Sequence, residues 1–255
     1  MKLLSLLIVC FGLPLNAFAD VSDFLNEPTQ VTIEIPAWVY GVEAEILEGG
    51  VTANVDTSVS ERVDRFRPSG ELNLTIDKGK WFLLVKPQFA KILLDGEAST
   101  PYGSLPTDVT VKSQVLEFAI GRELIDRGWV VLDAYVGARN IVIEVESETV
   151  LGENNWENKI DDLVFGLIAS FKINNHLSYN TEVNWAGWSL YDSSSEESLS
   201  LKTGIRYENN RFSVDAGWES FDIEYNDDAN GVPQNISFEL EGPVITFGWV
   251  FKKRH

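Results

Sequence analysis

Cysteine and histidine are nearly absent from this sequence. The 255-residue chain contains one cysteine and two histidines. Cys10 lies in an apolar N-terminal segment, so no disulfide framework can form in the rest of the chain, and a Cys/His metal cluster is excluded. His176 falls in a predicted tight turn and His255 is the last residue, which argues against a histidine-dependent active site. We therefore expect no enzymatic activity, no cofactor and no metal site.

Long hydrophobic runs and positive charge are also scarce. After the N-terminal segment, no stretch approaches the roughly 18 uncharged apolar residues that a membrane-spanning helix requires, which excludes a helical membrane protein. Lys and Arg total 20 against 39 Asp and Glu, and the formal net charge is −19 at pH 7. This acidic balance disfavours nucleic acid as a partner, because the phosphate backbone binds basic surfaces.

Residues 1–19 have the pattern of a secretory signal peptide. Met1-Lys2 gives a positive start, an apolar run follows, and Ala17-Phe18-Ala19 precedes Asp20. This order predicts export of the chain and cleavage between Ala19 and Asp20. Residues 20–35 follow as a predicted N-terminal periplasmic segment.

The rest of the sequence is dominated by alternating apolar and polar residues, which is the period of a β-strand. Near the middle of one such segment, Leu199 and Leu201 share one face while Ser200 and Lys202 share the other. Ten segments are predicted as strands: 36–46, 69–77, 81–93, 108–123, 129–146, 160–172, 177–191, 196–208, 211–226 and 237–251. The fourth, fifth, ninth and tenth change parity midway, which we interpret as β-bulges.

The connections between these segments alternate in length. Long connections follow the odd-numbered strands, and tight turns follow the even-numbered ones. An up-and-down meander places alternate connections at opposite ends, so the long loops gather at one end and the tight turns at the other. Charge follows the same division, with basic residues at the tight-turn end and acidic residues at the long-loop end. The predicted long connections are 47–68, 94–107, 147–159, 192–195 and 227–236.

These features together predict an all-β, antiparallel, up-and-down transmembrane β-barrel over residues 36–251. Ten strands are predicted, with eight as the alternative, joined by short periplasmic turns and long extracellular loops. A barrel satisfies every backbone hydrogen bond in lipid because a closed sheet has no free edge. Residues 252–255 follow as a basic C-terminal tail.

The last strand carries an aromatic stripe, in which Ile245, Phe247, Trp249 and Phe251 alternate with smaller residues. Together with the signal peptide and the alternation, this stripe makes the chain resemble small Gram-negative outer-membrane β-barrel proteins of the OmpA-like transmembrane type. The stripe itself resembles the C-terminal assembly signal of those proteins, although there the aromatic residue is usually the last one. The resemblance implies a location in the outer membrane, contact with outer-membrane lipid and lipopolysaccharide, and recognition by the barrel-assembly machinery.

If the apolar faces contact lipid, the polar faces line the lumen. The predicted lumen carries charges of both signs, which a narrow barrel must pair because buried charges are costly when they are unpaired. Ten strands lie just above the size at which side chains fill the interior. The residues predicted to line the lumen are Glu43, Glu45, Glu71, Lys86, Asp133, Arg139, Glu182, Lys202, Arg206, Asp215 and Glu219.

The function expected from this pattern is non-enzymatic. We expect a structural barrel or a narrow channel for ions or small solutes. One alternative is a surface adhesin or recognition barrel that acts through acidic extracellular loops. Another is a soluble periplasmic β-barrel that binds an apolar ligand.

Overall fold

The computed structural model describes residues 27–48, 51–57, 70–100, 103–149, 152–187, 195–227 and 234–252, and the predicted signal peptide lies outside them. These residues contain no helix that could span a membrane. Their strands are β1 (Thr29–Trp38), β2 (Gly41–Glu48), β3 (Val51–Thr57), β4 (Gly70–Glu71), β5 (Asn73–Lys78), β6 (Trp81–Thr100), β7 (Gly103–Asp126), β8 (Val130–Thr149), β9 (Gly152–Lys172), β10 (Leu177–Gly187), β11 (Glu197–Glu208), β12 (Phe212–Asp227) and β13 (Gln234–Lys252).

Ten antiparallel strands close into a barrel. Going around the ring, β1 pairs with β5, β5 with β6, and each later strand with the next up to β13. The ring closes where β13 pairs with β1, from Gln30 opposite Lys252 to Trp38 opposite Val244. The predicted ten-stranded, antiparallel, all-β barrel is therefore confirmed, and the last strand closes the barrel against the first.

Two strands outside this ring continue its wall beyond β1 and β5. β2 pairs with β13 in the same register as β1, and β3 pairs with β2 on one edge and β6 on the other. The predicted first strand, 36–46, is therefore interrupted at Val39 and Tyr40. The predicted start of the barrel at residue 36 is wrong, because the wall begins at Thr29, inside the predicted periplasmic segment. The ring needs this earlier start because β1 must reach the end of β13.

The tight turns predicted at one end are present, and local side-chain chemistry explains them. Gly79 and Gly128 adopt positive φ angles of 60° and 75°, a conformation that glycine adopts without steric cost. Asn174 accepts hydrogen bonds from the backbone N–H groups two and three residues ahead, and Asn209 does the same. Such Asx turns reverse the chain in few residues.

Two of the predicted long loops are strands instead. β6 and β7 pair as far as Thr100 opposite Gly103, and β8 and β9 as far as Thr149 opposite Gly152. Segments 94–107 and 147–159 resemble loops because they are polar, but a strand that stands in water beyond the membrane is also polar. β3 occupies part of the predicted first loop, and parts of the other two lie outside the described residues.

An apolar band surrounds the outside of the barrel next to the tight turns. On most strands it spans nine residues, such as 81–89 on β6, 163–171 on β9 and 243–251 on β13, whose outward side chains are mostly large and apolar. Nine residues rise about 30 Å along a strand, and the usual tilt reduces this to about 20–25 Å, the height of the lipid-facing band of outer-membrane barrels. The soluble alternative does not explain such a band.

Aromatic side chains lie along the edge of this band that is nearest to the tight turns. Trp129 and Phe171 have ring centroids 6.4 Å apart, Phe171 and Tyr179 are 6.3 Å apart, and Tyr207 and Phe212 are 6.0 Å apart. Trp129 immediately precedes β8, and the others lie on β9 to β12, which are consecutive around the barrel. This arrangement is typical of the aromatic girdle at a membrane interface.

Beyond the band, the polarity of the two faces reverses. On β13 the outward residues change from Phe247 and Ile245 to Glu241 and Glu239, while the inward ones change from polar or small to apolar. The pairing of β8, β12 and β13 shows no register shift there, and β7 shifts only between Glu123 and Ile125. The parity changes interpreted as bulges are therefore changes of surroundings along a regular strand, and the bulge interpretation is wrong.

This reversal predicts that arginine is tolerated at one level of the outer face and not at another. Ile120 and Gln114 both point outward on β7, the first near the middle of the apolar band and the second beyond it. We expect Ile120→Arg to lower the free energy of unfolding in lipid vesicles by about 2–4 kcal/mol, as for arginine near the bilayer midplane. The matched variant Gln114→Arg should change it by less than about 0.5 kcal/mol. Equal losses in a denaturant titration would contradict the band assignment.

Candidate functional site

A buried ion network crosses the lumen in the part of the apolar band that is farthest from the tight turns. Arg139 of β8 is 4% exposed, and its Nε and Nη2 donate to Glu117 Oε2 at 3.0 and 2.8 Å. Its Nη1 donates to Ser198 Oγ at 3.1 Å, and its Nη2 donates to Asn184 Oδ1 at 2.6 Å. Because these partners lie on β7, β10 and β11, one guanidinium ties together strands on different sides of the lumen.

A second part of the network is centred on Lys86 of β6. Its Nζ lies 2.5 Å from Glu182 Oε1 on β10, four strands away around the ring. Tyr135 also donates its hydroxyl to Glu182 at 2.7 Å. Gly166 makes room for this tyrosine, because a Cβ there would stand 2.0 Å from the Tyr135 ring. The Lys86–Glu182 pair therefore spans the lumen, and a neighbouring glycine allows its third member to reach it.

A third group lies nearer to the tight turns. Arg206 of β11 pairs with Glu34 of β1 at 2.7 Å and with Asp215 of β12 at 3.3 Å. A Cβ on Gly204 would stand 2.6 Å from Asp215 Oδ1, so this glycine leaves space for the carboxylate. Lys202, on the same strand as Arg206 but farther from the tight turns, lies 3.6 Å from Glu219. These contacts connect β1 to β12 and β11, which are two and three strands away around the ring.

A cavity of about 270 Å³ lies on the tight-turn side of the network, and we call it the vestibule. Arg206, Lys86 and Lys202 line it, together with Asp77 and Glu208, which precede two of the tight turns. Carboxylates outnumber basic side chains in its wall. The vestibule is therefore a polar, acidic space on the tight-turn side of the network.

An apolar cluster fills the barrel on the other side of the network. The Trp38 and Tyr40 rings pack edge to face with centroids 5.0 Å apart, and the Arg139 guanidinium lies 5.5 Å from the centroid of the Phe221 ring at the base of the cluster. The buried members of the cluster are Trp38, Tyr40, Val42, Ala44, Val111, Ile141, Ile143, Val145, Ile160, Ile223, Tyr225, Ile236, Phe238 and Val244. Described side chains thus occlude the lumen twice, first with ions and then with apolar groups.

Most residues predicted to line the lumen lie beside the vestibule or beside a smaller cavity between the network and the apolar cluster. These residues are Glu71, Lys86, Asp133, Arg139, Glu182, Lys202, Arg206, Asp215 and Glu219. Glu43 and Glu45 do not: both are exposed on the outer face of β2, while their neighbours Val42 and Ala44 are buried inside. The prediction for these two glutamates is wrong because β2 stands beyond the apolar band, where the charged face points outward. The predicted assembly signal of Ile245, Phe247, Trp249 and Phe251 faces outward on β13.

Sequence reasoning missed several members of the network. Glu34 was assigned to a segment before the barrel, and Glu117 lies in a strand whose parity change obscured which face is polar. For Tyr135 a signal was present, because it shares a face of its strand with Asp133 and Arg139, which were predicted to line the lumen. For Glu117, a signal was present: it sits between outward Leu116 and Phe118.

The outer wall formed by β12, β13 and β2 beyond the band is acidic. Asp222 lies opposite Glu239, which lies opposite Glu43, and adjacent strands are only about 4.8 Å apart. The charge of Asp222 is the main cause that raises the pKa of Glu239. Burial and then the charge of Glu241 raise the pKa of Asp222. Like charges directly opposite each other destabilise a sheet, so this wall is under electrostatic repulsion.

The far side of the barrel, across β7, β8 and β9, carries ion pairs beside its like charges, since Glu144 lies opposite Glu157. Lys112 Nζ lies 2.5 Å from Glu146 and 3.7 Å from Glu144. Lys159 Nζ lies 2.9 Å from Glu157. Both sides of the charged exterior thus contain like charges on adjacent strands, and on this side lysines pair with some of the carboxylates.

The network predicts strong coupling between Arg139 and Glu117. Arg139→Met should lower the free energy of unfolding by about 3–5 kcal/mol, because it leaves a buried carboxylate without its partner. The double variant Arg139→Met/Glu117→Leu should recover most of that loss, since both charges are then removed. Denaturant unfolding in detergent measures the wild-type protein, the single variants Arg139→Met and Glu117→Leu, and the double variant. Additive losses in the double variant would contradict the pairing.

The acidic wall predicts a pH-dependent gain in stability. Glu239→Gln should raise the free energy of unfolding at neutral pH by roughly 0.2–1 kcal/mol, as for relief of a like-charged cross-strand pair. Because the folded-state pKa of Glu239 is raised, its repulsion is present above that pKa and disappears as the pH falls through it. The gain should therefore shrink on acidification, as followed by thermal unfolding at several pH values. Glu146→Gln, which loses the Lys112 partner and has no carboxylate opposite it, should give no gain. A pH-independent gain for Glu239→Gln would contradict the assignment.

Comparison with known proteins identifies the architecture. No protein-family profile and no curated protein sequence matches the chain. Among solved structures, the outer-membrane protease OmpT from Escherichia coli is similar, with a TM-score of 0.60, 9% identity, and coverage of 87% of this chain and 97% of OmpT. The translocator domain of the autotransporter NalP from Neisseria meningitidis has a TM-score of 0.45, 10% identity and coverage of 97% of both chains.

A third similar structure is OprG from Pseudomonas aeruginosa, with a TM-score of 0.39, 12% identity, and coverage of 88% of this chain and 96% of OprG. At these identities, the likeness concerns the fold alone, and the match to OmpT carries it. The ten-stranded closed ring and its outward apolar band agree with that match. The chain therefore has the fold of the small Gram-negative outer-membrane β-barrels.

Proposed function

We propose that this protein is a closed, non-enzymatic structural barrel of the outer membrane. The observation that carries the proposal is the double occlusion of the lumen, by the cross-lumen ion network and then by the apolar cluster. An ion that crossed the barrel would have to displace buried ion pairs and then lose its hydration among apolar side chains, which is costly. Between the two roles expected from the sequence, this favours a structural barrel over a narrow channel.

The proposed orientation places the tight turns in the periplasm and the long strand extensions outside the cell. The nine-residue apolar band then contacts outer-membrane lipid and lipopolysaccharide, and β6 to β9 extend the wall beyond it. Outer-membrane barrels commonly have short periplasmic turns and longer extracellular parts. In this orientation, the protein holds a charged β-wall at the cell surface, and its exposed C-terminal stripe is available to the barrel-assembly machinery.

The proposal of a non-enzymatic role rests on where the titratable groups lie. His176 is exposed in a tight turn, with its Nδ1 3.2 Å from the Glu208 carbonyl oxygen, and His255 lies outside the described residues. The charged groups in the lumen are mostly engaged in ion pairs between strands. The likeness to the protease OmpT does not extend to function at 9% identity.

Planar-bilayer conductance tests the closed barrel. Refolded full-length protein should insert without producing steady conductance steps, since ions cannot pass the apolar cluster. The variant Tyr225→Ala/Phe238→Ala, which removes two aromatic rings from that cluster, should show brief openings. The matched variant Glu224→Ala/Glu239→Ala, on the outer face of the same strands, should stay closed.

Insertion of each protein is verified by the change in electrophoretic mobility between heated and unheated samples. Steady, cation- or anion-selective steps from the wild-type protein would contradict the structural role and restore the narrow-channel alternative.

A further inference from the structure

A second, smaller cavity lies where the ion network meets the apolar cluster. Its volume is about 110 Å³. Trp38 and Phe221 close it on the apolar side, and Arg139 and Glu182 line its polar side. Lys86, Asn73, Glu182 and Lys202 line both this cavity and the vestibule. The two spaces therefore adjoin.

Unpartnered polar atoms converge on this cavity. Within the described part of the chain, the buried side-chain atoms without a hydrogen bond are Trp38 Nε1, Asn73 Oδ1, Glu117 Oε1 and Glu219 Oε2. All four residues line the same cavity. Trp38, Asn73 and Glu117 are only 2%, 5% and 3% exposed. Buried polar atoms are nearly always hydrogen-bonded in native proteins, so this concentration indicates that something occupies the cavity.

The nearby lysines do not satisfy these oxygens. Lys86 Nζ is 3.9 Å from Glu117 Oε1, and Lys202 Nζ is 3.6 Å from Glu219 Oε2, both beyond hydrogen-bond distance. Lys86 is held instead by Glu182 at 2.5 Å, and Lys202 donates to Thr246 at 3.4 Å. The two carboxylate oxygens therefore remain available to another positively charged group.

The charge of the cavity wall indicates the charge of the occupant. Four carboxylates line it, those of Glu71, Glu117, Glu182 and Glu219. Only three basic side chains oppose them, those of Lys86, Arg139 and Lys202. With all four carboxylates ionised, one negative charge is left over in a buried space, where an uncompensated charge is costly. A single positive charge would balance it.

We propose that this cavity holds one small monovalent cation together with water. Asn73 Oδ1, Glu117 Oε1 and Glu219 Oε2 supply oxygen ligands, and the indole N–H of Trp38 donates to a water bound to the cation. An alkali metal ion and an ammonium ion share this chemistry, since both are compact, singly charged and bound by oxygen. The acidic wall of the vestibule attracts cations toward the cavity.

The signal for this site is not visible in the sequence, and it differs from the expectation of no metal site. Its acceptors come from β5, β7 and β12, and no pair of them is close along the chain. The expectation was based on cysteine and histidine ligands, which soft metals prefer. Hard monovalent cations bind oxygen atoms, which this barrel provides only after its strands close.

Thermal unfolding of the refolded full-length protein in detergent tests the site. The midpoint is measured in NaCl, KCl, NH4Cl and tetraethylammonium chloride at equal ionic strength. We expect a saturable rise of about 3–5 °C with at least one of the three small cations, as for a ligand at roughly tenfold above its dissociation constant. Tetraethylammonium should give no rise, because its charge is shielded by four ethyl groups. The order of the three small cations distinguishes an alkali ion from ammonium.

Glu219→Gln should abolish the rise, because it removes the excess negative charge and keeps the side-chain shape. The matched variant Glu241→Gln, which faces outward on β13, should keep the rise in full. Crystals soaked in rubidium chloride should show an anomalous peak inside the cavity, and this measurement decides the question if Glu219→Gln does not fold.

Three results would overturn the proposal. Equal midpoints in all four salts would mean that the cavity holds water only. A rise that survives in Glu219→Gln would place the cation elsewhere, and a rubidium-soaked crystal without a peak would leave the cavity without a cation. Each result is independent of the conductance experiment, because a closed barrel can lack the cation and a conducting one can hold it.

Discussion

The outer face of each strand must match lipid over one stretch and water over the next, and the rest of the structure depends on this requirement. Where the outside is apolar, as at Leu201 and Ile205 on β11, the inside carries charged groups such as Lys202 and Arg206. Where the outside is charged, as at Glu239 and Glu241, the inside is an apolar core. Both arrangements follow from burying apolar surface away from water. The strands change from one arrangement to the other at the membrane edge that is farther from the tight turns.

This exchange explains why the lumen is closed in two different ways. Within the band, charges that face inward have no bulk water to solvate them, so they pair across the lumen, as Lys86 does with Glu182. Beyond the band, the barrel is an ordinary water-exposed sheet whose inner face packs like a soluble core around Trp38 and Phe238. Where these two regions meet, charged side chains lie next to apolar ones, which offer them no hydrogen-bond partners. The unpartnered polar atoms gather at that junction.

The number of strands, their antiparallel order and the tight turns could be predicted from the sequence, because alternation and turn residues are local properties. The candidate site could be predicted only in part. Arg206 and Asp215 lie in cleanly alternating stretches of the band, and the structure places both at the vestibule. The prediction for Glu43 is wrong because, beyond the membrane, the polar face of an alternating strand points outward and the apolar face points inward. The hydrogen bonds of Tyr135 and Ser198 could not be predicted, since both reach strands that are distant in sequence.

By itself, the sequence determined that this chain forms long antiparallel strands with one apolar and one polar face, because the two-residue period fixes which side chains share a face. Only the tertiary structure decided which face is inside at each level, because inside and outside exist only after β13 closes against β1. Closure also brought Asn73, Glu117 and Glu219 around one cavity, although no spacing in the sequence relates them. The physical reason is that face membership is set by neighbouring residues, whereas surroundings are set by the whole ring and the membrane around it.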